Sequence, residues 1–126
     1  MNIPKDIKYT ESHEWVRVEG DLAFVGITDY ASTQLGDIVF LEIETEGEEL
    51  ESGEAYGSIE AVKTVSDSYM PISGKVIEVN QNAIDDPSIV NKDPYGDGWL
   101  IKIQIKNKEE INGLLDADAY KNIIKE

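Results

Sequence analysis

The apolar residues of this chain recur mostly at every second position, in short runs broken by glycine, proline and acidic turns. That is the pattern of half-buried strands. Residues 1–8 contain Pro4, which argues against helix and predicts an extended lead-in. Tyr9 to Val18 predicts a first strand, with Trp15, Arg17 and Glu19 facing one way and Val16 and Val18 the other. Glu19-Gly-Asp21 predicts a turn into a second strand over Leu22 to Ile27. Thr28 to Leu35 abandons the alternation and predicts a short helix, with Thr28 or Asp29 as N-cap and Gly36 as its stop. Strands follow over 37–45, 55–59 and 72–79, with Val65 also extended and turns at Glu46-Gly47 and Ser52-Gly53. Residues 81–98 predict a long connection, of a length that is uncommon and often functional. Trp99 to Lys106 is the clearest strand, with Trp99, Ile101, Ile103 and Ile105 on one face and Leu100, Lys102, Gln104 and Lys106 on the other. Residues 107–115 and 116–125 predict terminal helix, capped at Asp116, whose stripe Leu115, Ala119 and Ile123 docks on the sheet.

Many short strands, glycine turns and an end helix predict a single antiparallel β domain spanning 1–126. A chain of this length buries roughly two-thirds of its unfolded surface and needs no staples. It has no cysteine, which excludes a disulfide scaffold, a thiol nucleophile and a thiolate-bound metal. Its 26 acidic against 11 basic residues give a net charge of −15. That repels nucleic acid and favours both solubility and basic patches on partner proteins. The acidic run from Glu42 to Glu54 reads as a solvated edge and lacks the spacing of a calcium loop. His13 is the only histidine, so it reads as structural or exposed and no metal site is expected. No apolar run is of membrane-spanning length, and the first residues resemble neither a signal nor a transit segment. A cytoplasmic monomer is expected, or a mitochondrial matrix protein if a presequence has been removed.

Chemistry concentrates at Lys63. No other Lys or Arg occurs between Arg17 and Lys75, and predicted strands flank it. A lysine on a hairpin tip is solvated and unconfused with other amines, as a modifying enzyme requires. An ordinary exposed turn lysine would sit there equally well. The sequence has no nucleophile elbow, phosphate loop or histidine cluster. A carrier needs only one accessible amine, a rigid mount and a recognisable surface, since the hard chemistry belongs to its cofactor.

Glu60-Ala-Val-Lys63, then Thr64-Val-Ser-Asp67 and Pro71-Ile-Ser-Gly74, resembles the lipoyl-lysine motif of the glycine cleavage system H-proteins. Ser12-His-Glu-Trp15, Gly26-Ile-Thr-Asp29, Leu35-Gly-Asp37 and the segment Asn91 to Trp99 resemble H-protein segments in the same order. The resemblance implies a lipoyl/biotinyl-type antiparallel β-sandwich, a barrel-sandwich hybrid, with a core over about 15–106, short peripheral helices and a C-terminal helical segment over about 107–126. It implies lipoate on Lys63, attached by a lipoate ligase or a lipoyl/octanoyl transferase. It implies a non-catalytic shuttle that takes an aminomethyl group from the P-protein, a glycine decarboxylase, to the T-protein, an aminomethyltransferase. The L-protein, dihydrolipoyl dehydrogenase, then reoxidises the arm. By position, Ser12, Glu14 and Asp67 would form the cleft that shelters the loaded arm, and Glu60 would serve recognition by the modifying enzyme or simply stabilise the turn. Three positions depart from the family: Tyr30, where many members have histidine, Gln34, where some do, and Ala61, where serine is frequent, a small change that should not prevent modification. The same lysine would also serve an H-like protein that relays lipoyl or octanoyl groups. An unmodified acidic binding module is a third reading. A 2-oxo acid dehydrogenase lipoyl domain or a biotinyl domain would carry Asp-Lys-Ala or Met-Lys-Met at the turn, and this chain has Val62-Lys-Thr64.

Overall fold

A computed structural model describes residues 1–125. Nine strands, all paired antiparallel, form two sheets. They are β1 (Lys8–Tyr9), β2 (Glu14–Glu19), β3 (Leu22–Ile27), β4 (Ile38–Glu42), β5 (Glu49–Leu50), β6 (Ala55–Ala61), β7 (Val65–Tyr69), β8 (Gly74–Val79) and β9 (Ile101–Ile105). One sheet runs β1-β2-β3-β9-β8-β5 and the other β4-β6-β7. Val16, Val25, Ile101, Ala23, Ile103 and Val76 lie in register across the larger sheet, and all are fully buried. Leu41 and Ile59 oppose each other on the smaller sheet and join the same core. The mainly β sandwich with peripheral helices is therefore as the residue pattern and the resemblance implied.

Helix α1 (Asp29–Leu35) has the predicted punctuation. Thr28 Oγ1 accepts the Ala31 N–H at 3.2 Å, and Gly36 closes the helix with φ +80°. Other details differ. The predicted strand from Tyr9 to Val18 is interrupted, because Thr10 and Glu14 close a tight turn at which His13 takes φ +70°. The long connection contains two short helices, α2 (Gln81–Asp85) and α3 (Ser88–Lys92), which bury Ala83 and Val90. Residues 107–115 are not α-helix: a 3-10 helix (Lys108–Gly113) is followed by Leu115, which bridges Tyr9. Helix α4 (Ala117–Ile124) is capped by Asp116 as expected, but its buried residues are Ala117 and Tyr120. Ile123 is exposed. The reason is aromatic: Tyr120 stacks on Tyr9 at 4.7 Å, and Ile3, Ile7 and Trp15 complete a second small core. Trp99 also leaves its predicted face, because strand geometry begins only at Ile101, and it packs edge-on against Phe24.

The segment Asn91 to Trp99 acts as a staple. Pro94 O accepts the Trp15 indole N–H at 2.9 Å, and Tyr95 O accepts from Arg17 at 2.9 Å. Trp15 pairs across the ladder with Gly26, and its ring occupies the space a side chain there would need. A Cβ at Gly26 would lie 2.7 Å from Trp15 Nε1. Trp15 is fully buried and hydrogen-bonded, so it cannot yield. A Cβ at Gly113 meets nothing within 4 Å. Gly26→Ala should therefore cost about 1–3 kcal/mol, while Gly113→Ala should change stability by less than about 0.5 kcal/mol. Urea unfolding of the two variants reads this; equal costs would contradict it.

Candidate functional site

A cleft of about 340 Å³ opens between helix α1, the ends of β2 and β3, and the middle of β6 and β7. Ser12, His13 and Glu14 come from the turn into β2; Tyr30, Ala31, Gln34 and Leu35 from α1; Ser66, Asp67 and Ser68 from β7. Ile27 and Ile59 supply apolar lining. The structure thus brings together Ser12, Glu14 and Asp67, which are 55 positions apart between the outermost two.

Glu14 is the unusual member. Its residue is 2% exposed, yet no ion pair among the described residues involves it. Its Oε1 accepts from the hydroxyls of Thr10, at 2.8 Å, and Ser12. Its Oε2 has only a long bond, 3.4 Å, from the Tyr69 N–H. Burial raises the Glu14 carboxyl above its ordinary value of 4.5, against the pull of these hydrogen bonds. An ammonium is the partner that would satisfy the free lone pairs and the charge together. Asp67 is exposed on the edge strand β7, where it borders both this cleft and a neighbouring groove. Burial also holds the His13 imidazole below its ordinary value of 6.5.

Lys63 sits on the tip between β6 and β7, exposed and without an ion pair among the described residues. Ala61 N–H donates to Thr64 O at 2.8 Å and closes the tip. Val62 N–H donates to Asp37 O at 3.0 Å, which ties the tip to the end of α1. The lysine side chain leans over Gly36: a Cβ there would meet its Cδ and Cε at 3.6 Å. Lys63 therefore stands at the Leu35–Gly36 end of the cleft rather than in its lining. Asn91 secures that corner, since its side chain donates to Ser32 Oγ and Gly36 O and accepts the Ile38 N–H at 2.9 Å. Glu60 lies elsewhere. Phe40, Glu60 and Val65 pair in one row across the smaller sheet, and all three are exposed outside the cleft.

Residue reading alone missed the walls of the cleft. The i, i+4 pair Tyr30 and Gln34 was a usable signal, as both fall on one side of a predicted helix. Asn91 gave no signal, because its role is three hydrogen bonds to residues more than fifty positions away.

Because its carboxyl is raised, folded Glu14 holds its proton more tightly than unfolded Glu14. Its contribution to stability is complete below the ordinary value and is lost as pH rises through the raised one. Glu14→Gln has no such proton, so its stability relative to the parent should rise across that window and stay level above it. Urea unfolding at a series of pH values checks this; a difference that moves in the parent's favour as pH rises would refute it.

A family model described as glycine cleavage H-protein matches residues 7–126. The glycine cleavage system H protein of Bacteroides fragilis is 56% identical over 124 residues, covering 98% of each chain. That of Carboxydothermus hydrogenoformans is 48% identical over 124 residues, covering 98% of this chain and 95% of the other. The crystal structure of a glycine cleavage system H protein from Mycobacterium marinum superposes with a TM-score of 0.90 at 41% identity, covering 98% of this chain and all of that one. With an exposed lysine at the mouth of an acid-floored cleft, and with these matches along nearly its whole length, the chain belongs to the glycine cleavage H-protein family.

Proposed function

We propose that this protein is the lipoyl carrier of a glycine cleavage system and has no catalytic step of its own. Lys63 is the attachment point. Its exposure gives a ligase or a lipoyl/octanoyl transferase access to the amine, and the Asp37 and Asn91 contacts fix where the arm begins. The bound lipoyl group supplies a redox disulfide and a sulfur able to carry an aminomethyl group. The chain's own residues shelter that cargo. Glu14 and Asp67 offer carboxylates to a cationic amine, and Ser12 orients Glu14 through its hydroxyl. Ile27, Leu35 and Ile59 limit water around the pair, where the attraction is stronger than in bulk solvent. The cleft suits the group: its lining is part apolar and part acidic, and no Lys or Arg lines it to compete for the carboxylates.

The partners on this reading are the P-protein, the T-protein and the L-protein. The net charge of −15 favours basic docking surfaces on them. Exposed Phe40, Glu60 and Val65 lie beside the lysine tip, so Glu60 fits a role in recognition by the modifying enzyme better than a role in the cleft. The bacterial sources of the relatives support a cytoplasmic setting. Among the described residues no helix is long and apolar enough to cross a membrane.

The observation that carries this reading is the buried, cation-free Glu14 in a cleft whose mouth holds Lys63. Intact mass after treatment with a lipoate ligase and lipoate tests it. One lipoyl increment is expected in the parent and none in Lys63→Ala. No increment on the parent, with the ligase active on another lipoyl domain, would overturn the reading.

A further inference from the structure

His13 lines the cleft next to Glu14, and its ring is held from behind by α4. Tyr120 Oη lies 2.8 Å from His13 Nδ1 and 2.7 Å from Thr28 Oγ1. Thr28 Oγ1 also accepts the Ala31 N–H at 3.2 Å. Thr28 and Tyr120 are both fully buried, so each hydroxyl proton must find its acceptor within this group. Only one direction uses every donor. If Tyr120 donated to Thr28, the Thr28 proton would be buried with no acceptor among the described residues. In the other direction Ala31 N–H donates to Thr28, Thr28 donates to Tyr120, and Tyr120 gives its single proton to His13 Nδ1. Nδ1 is then bare, and a neutral ring carries its proton on Nε2.

We infer that Tyr120 is a positioning residue: through this hydrogen-bond chain it holds His13 as the neutral Nε2–H tautomer, so the cleft wall beside Glu14 carries no positive charge. The purpose rests on the carrier reading, whereas the geometry does not. An imidazolium at this place would repel a cationic cargo. The titratable groups around the ring are Glu14 on β2, Asp67 on β7, Tyr30 on α1 and Tyr120 on α4. Burial opposes a charged imidazole, and in this chain of bonds the Tyr120 hydroxyl opposes it too. Protonation at Nδ1 would turn Tyr120's donor towards another donor and break the chain.

His13 is the only histidine, so its ring gives a single, unambiguous set of signals. Long-range ¹H–¹⁵N correlation of the unmodified, ¹⁵N-labelled full chain near neutral pH should show the Nε2–H tautomer. A ring protonated on Nδ1, or an even mixture of tautomers, would overturn the inference from the parent protein alone. Tyr120→Phe keeps the ring stack on Tyr9 and removes only the hydroxyl. It should mix the tautomers and raise the His13 titration midpoint by about 0.5–1 pH unit. An unchanged tautomer and midpoint in the variant would equally overturn it. Failure of the carrier reading is visible separately, as a missing mass increment on Lys63, and would leave these ring signals as they are.

Discussion

Glu14 takes a carboxylate out of water with no ammonium or guanidinium beside it among the described residues. Such burial is costly, by several kcal/mol for an uncompensated ion. The local chain is shaped to lower that cost. Thr10 and Ser12 turn their hydroxyls onto Oε1, and Thr10 Oγ1 also accepts the Glu14 N–H at 3.1 Å. These bonds need a tight turn, and the turn places His13 in the left-handed region. That strain and the buried charge share one location, the floor of the cleft. Structures tolerate such local costs where surrounding packing over-determines them, and here the second small core around Tyr9, Trp15 and Tyr120 supplies that packing.

The other half of the site is a mount rather than a binding surface. On the carrier reading, the base of the lysine tip must not drift. Three hydrogen bonds from Asn91 hold the end of α1 to the start of β4, and Asp37 O then holds Val62. The same helix supplies Tyr30, Gln34 and Leu35 to the cleft. One short helix therefore lines the cleft and, through its closing Gly36, meets the lysine tip. Its N-cap, Thr28, belongs to the Tyr120 chain, so α4 is tied to the same geometry from behind.

Much of this was legible from residue order. Apolar runs located six of the nine described strands; of β7 only Val65 was read as extended, and the two-residue β1 and β5 were missed as separate elements. Thr28, Gly36 and Asp116 marked helix ends because capping is a local interaction. The misses have physical causes. The stripe on α4 failed because an aromatic stack, Tyr120 on Tyr9, outweighed the aliphatic spacing of Leu115, Ala119 and Ile123. The turn at Thr10–Glu14 was invisible because side-chain hydroxyls, not glycine or proline, create it. Ser12, Glu14, Asp67 and Lys63 came from motif resemblance, and the structure gathers the first three into one cleft with the lysine at its mouth. Of its walls only the Tyr30 and Gln34 pair left a signal in the sequence, since the rest arise from α1 meeting two sheets.

The central claim is that this cleft receives the charged end of an arm anchored at Lys63. Nuclear Overhauser contacts in the lipoylated protein test it most directly, with the arm oxidised and then aminomethyl-loaded. The account predicts contacts from the loaded arm to Tyr30, Leu35 and Ile59 that are absent when the arm is oxidised. A loaded arm that tumbles freely, with no contact to those side chains, would contradict it.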